Sequence, residues 1–153
     1  MATDASILTI PNDTTYLPIV GAYVKAVAAQ LGFDDSDIGD IRLGVDEACT
    51  HIINTSFEPG EEDNLFISCQ RYPSGLRVTI ADRGMPFDPR SIQAYDVHGG
   101  LERELSGLPF YLIQQTMDEV RFVNKGREGK ELHLTKYLKV PSVESYFPQE
   151  ELR

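Results

Sequence analysis

The sequence has few cysteines and no segment typical of a membrane span or a secretion signal. Its two cysteines, Cys49 and Cys69, do not form a C-x-x-C pair, and two are too few for a disulfide framework, so we expect small buried apolar side chains in a reducing compartment. No window approaches the roughly 18 apolar residues of a transmembrane helix, and the first residues include neither a basic nor an apolar region. We therefore expect a cytoplasmic protein.

Basic residues are also scarce. The chain has 14 Lys and Arg against 24 Asp and Glu, a formal net charge of −10, and its basic residues are scattered. Such a surface is poorly suited to nucleic acid, whose phosphates must be neutralised, and to anionic membranes. With 153 residues, of which 41% are apolar, the chain has the composition of one folded globular domain.

Apolar periodicity predicts three helices and five strands. The first helix has apolar residues at steps of three and four, with Pro18 in its first turn and Gly32 at its end. The second begins near Asp35 and ends before Pro59. The predicted order is strand 6–10, helix 17–31, helix 35–57, strands 64–72 and 76–81, helix 108–117, and strands 120–124 and 130–138.

This order of elements favours a two-layer α/β sandwich, in which a mixed or antiparallel sheet carries the helices on one face. The sandwich would form one domain over residues 6–140, followed by a short tail at 141–153. Between Asp82 and Ser106 the apolar residues show no regular spacing. This connection is longer than the roughly 12–15 residues usual for a structureless loop. We expect the loop to be functional or mobile.

Two polar segments could carry chemistry. On the second helix Glu47, His51 and Asn54 share one stripe, for which a solvated face is the commoner explanation and a functional site the other. Asp82 ends a predicted strand two residues before Gly84. It could accept a hydrogen bond from a ligand amine, or it could simply be a turn residue.

A third segment opens the predicted third helix at Gly107 and Leu108, where free N–H groups can hold phosphate. In chain order, the three segments resemble the Bergerat ATP-binding fold of histidine kinase-like (GHKL) ATPases, and within it the anti-sigma regulatory factors that are serine protein kinases. The resemblance covers about residues 6–140 and rests on the strings LGVDEACTHII (43–53), DRGMPFDP (82–89), SGLPFYLI (106–113), MDEV (117–120) and GKELHLTK (129–136).

The resemblance implies a function and residue roles. Such a protein would bind a sigma factor, use ATP and Mg²⁺ to phosphorylate a serine of an anti-anti-sigma antagonist protein, and form a homodimer through the sheet or first helix. Glu47 would be the general base and Asp82 would accept the adenine amino group. Gly84 would let adenine approach, and Gly107 and Leu108 would belong to the phosphate loop.

Two positions depart from the family pattern. His51 stands where the family has an Asn that binds Mg²⁺, an ion that prefers oxygen ligands, so His51 or the nearby Asn54 would have to hold the metal. Pro109 replaces a second Gly and has no N–H for a phosphate oxygen. The alternative function is therefore a non-catalytic or weakly nucleotide-binding module of the same fold that regulates by partner binding.

Overall fold

The computed structural model describes residues 4–85 and 110–139. Several expected features lie outside these residues. They are the segment 91–105, which the resemblance implies to be an ATP lid, the phosphate-loop residues Gly107 and Leu108, Pro109, and the tail. Residues 110–116 are helical and are called α3. The other elements are β1 (Ala5–Pro11), a 3₁₀ turn (Thr14–Tyr16), α1 (Leu17–Leu31), α2 (Asp35–Thr55), β2 (Asn64–Tyr72), β3 (Gly75–Asp82), β4 (Glu119–Asn124), a 3₁₀ turn (Gly126–Glu128) and β5 (Lys130–Tyr137).

The five described strands form one antiparallel sheet in the order β1-β2-β3-β5-β4. Of the two arrangements that the sequence left open, the antiparallel one is correct for these strands. Successive side chains alternate between the two faces, and Ile67, Ile80 and Leu132 lie opposite one another on the inner face. These residues are buried in one core with α1 and α2, which confirms the two-layer sandwich.

The end of α1 and the start of α2 lie where their capping residues predict, whereas α2 ends at Thr55, two residues before its predicted end. Gly32 closes α1 with a φ of 92°, and its N–H donates to the carbonyls of Ala28 and Ala29. At the start of α2, the Asp34 carboxylate accepts from the Asp37 N–H at 2.8 Å. No helix within the described ranges is long and apolar enough to cross a membrane.

The side chain of Lys136 on β5 contacts both α2 and α3. Its Nζ donates to the Thr116 carbonyl at the end of α3 at 2.7 Å and lies 3.6 Å from an Asp40 carboxylate oxygen on α2. The two helices approach closely at Gly44, where a Cβ atom would lie 2.6 Å from the Thr116 hydroxyl oxygen. This contact fixes α3 beside α2, so Phe110 at the described start of α3 faces the polar side of α2.

The cysteines provide a direct test of the core. Cys49 is 0% and Cys69 1% exposed; burial raises the pKa of both thiols, that of Cys69 to about 11. We expect Ellman's reagent to label the native protein only as fast as it unfolds, and both thiols to react at once in guanidinium chloride. Rapid labelling of the native protein would contradict this packing.

Candidate functional site

The polar stripe of α2 divides into two parts in the structure. Glu47 and His51 are partly buried at the flank of the helix, whereas Asn54 is exposed. Asn54 lines a separate surface depression with Asn12 and Asp63, between the end of α2 and the loop before β2. The structure therefore keeps Glu47 and His51 as candidates for one site and gives Asn54 different surroundings.

The His51 ring is packed among aromatic side chains. It meets Phe110 edge-on, with ring centroids 4.7 Å apart, and Phe110 meets Phe122 in the same way at 5.0 Å. Burial lowers the pKa of His51, and the positive charge of Lys130 lowers it further, so the imidazole is neutral at neutral pH. A neutral ring in these surroundings offers Mg²⁺ no oxygen ligand. Within 4–85 and 110–139, no three His, Cys, Asp or Glu residues cluster as a metal site.

A buried ion pair on the inner face bridges β3 and β5. Strand register places Asp82 directly opposite Lys130, and alternation turns both side chains towards the helix layer with Ile80 and Leu132. Lys130 Nζ donates to Asp82 Oδ1 at 2.6 Å, and the two side chains are 2% and 0% exposed. Lys130 also donates to the carbonyl of Met85.

The two oxygens of Asp82 have different surroundings. Oδ1 accepts from the Gly84 N–H at 2.8 Å as well as from Lys130. Oδ2 is buried and has no hydrogen-bond partner in the described part of the chain. Burying such an atom costs free energy unless a donor reaches it.

Two glycines allow other protein segments to approach the backbone closely around this ion pair. At Gly84 a Cβ atom would strike Ser56 at the end of α2, and the neighbouring Met85 N–H donates to the Ser56 carbonyl at 2.7 Å. At Gly129, which has a φ of 102°, a Cβ atom would strike the Asp82 carbonyl. Gly84 is thus required by contact between two protein segments, whether or not it also lets a ligand approach.

Sequence reasoning did not single out Lys130. Its alternation with Leu132 and Leu134 in the last strand places it on the buried face, and a lysine in such a position needs an acidic partner. The identity of that partner depends on the register between β3 and β5, which are separated by the long loop. No local pattern specifies this register.

An antiparallel sheet covered by α1 and α2, with a carboxylate on α2 and another at the end of β3, is the architecture of a histidine kinase-like ATPase. The chain belongs to the histidine kinase-like ATPase domain family, which matches residues 10–136. Proteins named serine-protein kinase RsbW from Bacillus cereus and Bacillus thuringiensis are 30% identical to it over 141 residues, covering 89% of this chain and 86% of theirs. These matches confirm the family expected from the sequence.

A solved structure supports the fold. The RsbU and RsbW domains of a Mycobacterium tuberculosis protein match with a TM-score of 0.65 and 18% identity, covering 92% of this chain. The chain spans 34% of the length of that solved structure. This similarity confirms the Bergerat-type sandwich.

Membership of this family implies use of ATP, so the described residues can be compared with what the nucleotide requires. Adenine offers a neutral amino group to a carboxylate, but in this structure Asp82 is already paired with the Lys130 ammonium at 2.6 Å. His51 adds no oxygen ligand for Mg²⁺. Glu47 is partly exposed on the flank of α2. In this arrangement, the part of the site around Asp82, where a nucleobase would bind, does not fit adenine.

Proposed function

We propose that the protein is an anti-sigma regulatory factor, which binds a sigma factor and releases it to a competing antagonist protein. The observation that carries this proposal is the match to serine-protein kinases over 89% of this chain and 86% of their length. Binding a protein partner requires a folded protein surface and does not require that the nucleobase-binding site at Asp82 be open. Partner binding is therefore the function that the geometry supports best.

Serine/threonine kinase activity towards the antagonist is the second candidate. The observation that favours it is Glu47, which remains partly exposed on the flank of α2, where a carboxylate can take the proton of an attacking hydroxyl. The observations against it are the occupied Asp82 carboxylate and the aromatic packing of His51. We expect the wild-type activity to be weak or absent.

The homodimer implied by the family resemblance is also a proposal. Ile7 on β1 is 69% exposed and Ile19 on α1 is 51% exposed. These two apolar side chains lie on the two surfaces through which the resemblance expects dimerisation, the sheet and the first helix.

The binding function is tested with the purified full chain and each sigma factor of the same genome. We expect calorimetry to detect one sigma factor that binds without nucleotide and is displaced by an antagonist protein containing a phosphorylatable serine. Adding Mg²⁺ and ATP should change that affinity little, because the base site is occupied. If no sigma factor binds, the anti-sigma proposal is wrong.

The kinase candidate is tested with Glu47→Gln, using labelled ATP and the antagonist. Any phosphate transfer by the wild type should fall by about a hundredfold or more, since general base catalysis contributes about 10²–10⁴ in rate. Asp46→Asn, which changes the neighbouring carboxylate, is the control and should retain the activity. Transfer that survives in Glu47→Gln would exclude Glu47 as the base.

A further inference from the structure

The ion pair between Asp82 and Lys130 has a consequence for ligand specificity. We propose that Lys130 sets nucleotide specificity at this site: its ammonium takes the place of a nucleobase amine on Asp82, so a nucleotide binds only in competition with it. The inference concerns nucleotide binding alone, so its test can fail while sigma-factor binding succeeds, and the reverse.

The strength of the contact is the first argument. The ammonium of Lys130 carries a full positive charge, so it is attracted to the Asp82 carboxylate more strongly than a neutral amine is. Because Lys130 is part of the same chain and lies opposite Asp82 in the sheet, it competes without the loss of translational freedom that a ligand pays. An incoming base would have to displace the stronger and already tethered donor.

The surroundings of Lys130 are the second argument. Its side chain is 2% exposed and its Nζ also donates to Met85, so the ammonium is held on two sides. Gly129, immediately before it, packs against the backbone of Asp82. The ammonium therefore lies at Asp82 because the sheet holds it there and not because a flexible surface side chain reaches it.

The unpartnered oxygen of Asp82 is the third argument. Oδ2 is buried without a donor in the described residues, so neither oxygen is open to a base amine while Lys130 is bonded to Oδ1. If Lys130 were removed, Oδ1 would keep only the Gly84 N–H and could accept from a base amine. Lys130 is thus the residue whose loss would restore recognition of adenine.

The test compares the wild type with Lys130→Met, using ATP and purine riboside triphosphate, an analogue that lacks the exocyclic amine. We expect the wild type to bind both weakly and about equally, and Lys130→Met to bind ATP at least about tenfold more tightly and to prefer it to the analogue, as one additional hydrogen bond to a charged group predicts. Removing a positive charge should otherwise weaken binding of a polyanion. The gain would therefore be specific to the base site.

Lys125→Met is the matched control, because Lys125 is an exposed lysine in the turn between β4 and β5 and pairs with Glu131 rather than with Asp82. It should leave ATP affinity unchanged or slightly lower. A folded Lys130→Met that gains no affinity would overturn the proposal. If Lys130→Met does not fold, the affinities of the wild type for the two nucleotides provide the test. A clear preference for ATP over the amine-free analogue would show that Asp82 recognises the nucleobase despite Lys130, and would overturn the proposal.

Discussion

Asp82→Asn is expected to lower the free energy of unfolding by about 3–5 kcal/mol, because it breaks a buried ion pair and leaves one charge without its partner. The charge left behind is the ammonium of Lys130, which is 2% exposed. If Asp82 were only a ligand-binding residue, the nearly isosteric amide would leave the fold intact. The structure therefore predicts that this substitution lowers stability.

A double variant separates the ion pair from other effects of the substitution. Combining Asp82→Asn with Lys130→Met removes both charges, and replacing a buried pair with uncharged groups is often close to neutral. We expect the double variant to be more stable than Asp82→Asn alone when both are unfolded in urea. The comparison isolates the coupling between the two side chains.

An exposed ion pair provides the control. Asp4 and Arg71 approach to 2.5 Å, but their side chains are 57% and 38% exposed. Asp4→Asn should therefore change the free energy of unfolding by no more than about 1 kcal/mol. If Asp82→Asn costs as little as this, the contact with Lys130 is solvated in solution and the proposed role of Lys130 fails with it.

Val45→Asp is expected to abolish cooperative folding. Val45 is 1% exposed on the buried stripe of α2, and an unpaired carboxylate in that core costs several kcal/mol. The whole domain is held by only about 5–15 kcal/mol. Thermal melting followed by far-ultraviolet circular dichroism should show no sharp transition for this variant.

Leu43→Asp is the control on the same helix. Leu43 lies two residues away and is 38% exposed, so its carboxylate would remain solvated. This variant should melt cooperatively, close to the wild type. A sharp, unshifted transition for Val45→Asp would contradict the packing of α2 on the sheet.

Much of the fold could be predicted from local patterns. The stripe of α2 is buried as expected at Ile41, Val45, Ala48 and Ile52, and Ile38 is partly buried beside it. β2 has the predicted bounds, and the other described strands agree with the prediction to within one residue at each end. Periodicity and capping act over a few residues, which is why sequence alone specifies these elements.

The candidate site could be predicted only in part. The motif order identified Glu47 and Asp82, and the matches to relatives confirm the family to which that order belongs. The roles of Glu47, Asp82, Gly84, Gly107 and Leu108 stay predictions. What the motifs could not give was the state of Asp82, because a motif records which residue is present and not what it touches.

The sequence by itself determined the described helices and strands and the family, since each depends on short-range spacing or on the order of motifs. Only the tertiary structure decided that Lys130 faces Asp82 and that His51 packs against Phe110. Both contacts join segments far apart in the chain, the first through the pairing of β3 with β5 and the second through the approach of α3 to α2. Strand register and helix packing are set by the core as a whole, and they determine whether the carboxylate of Asp82 is available to a ligand.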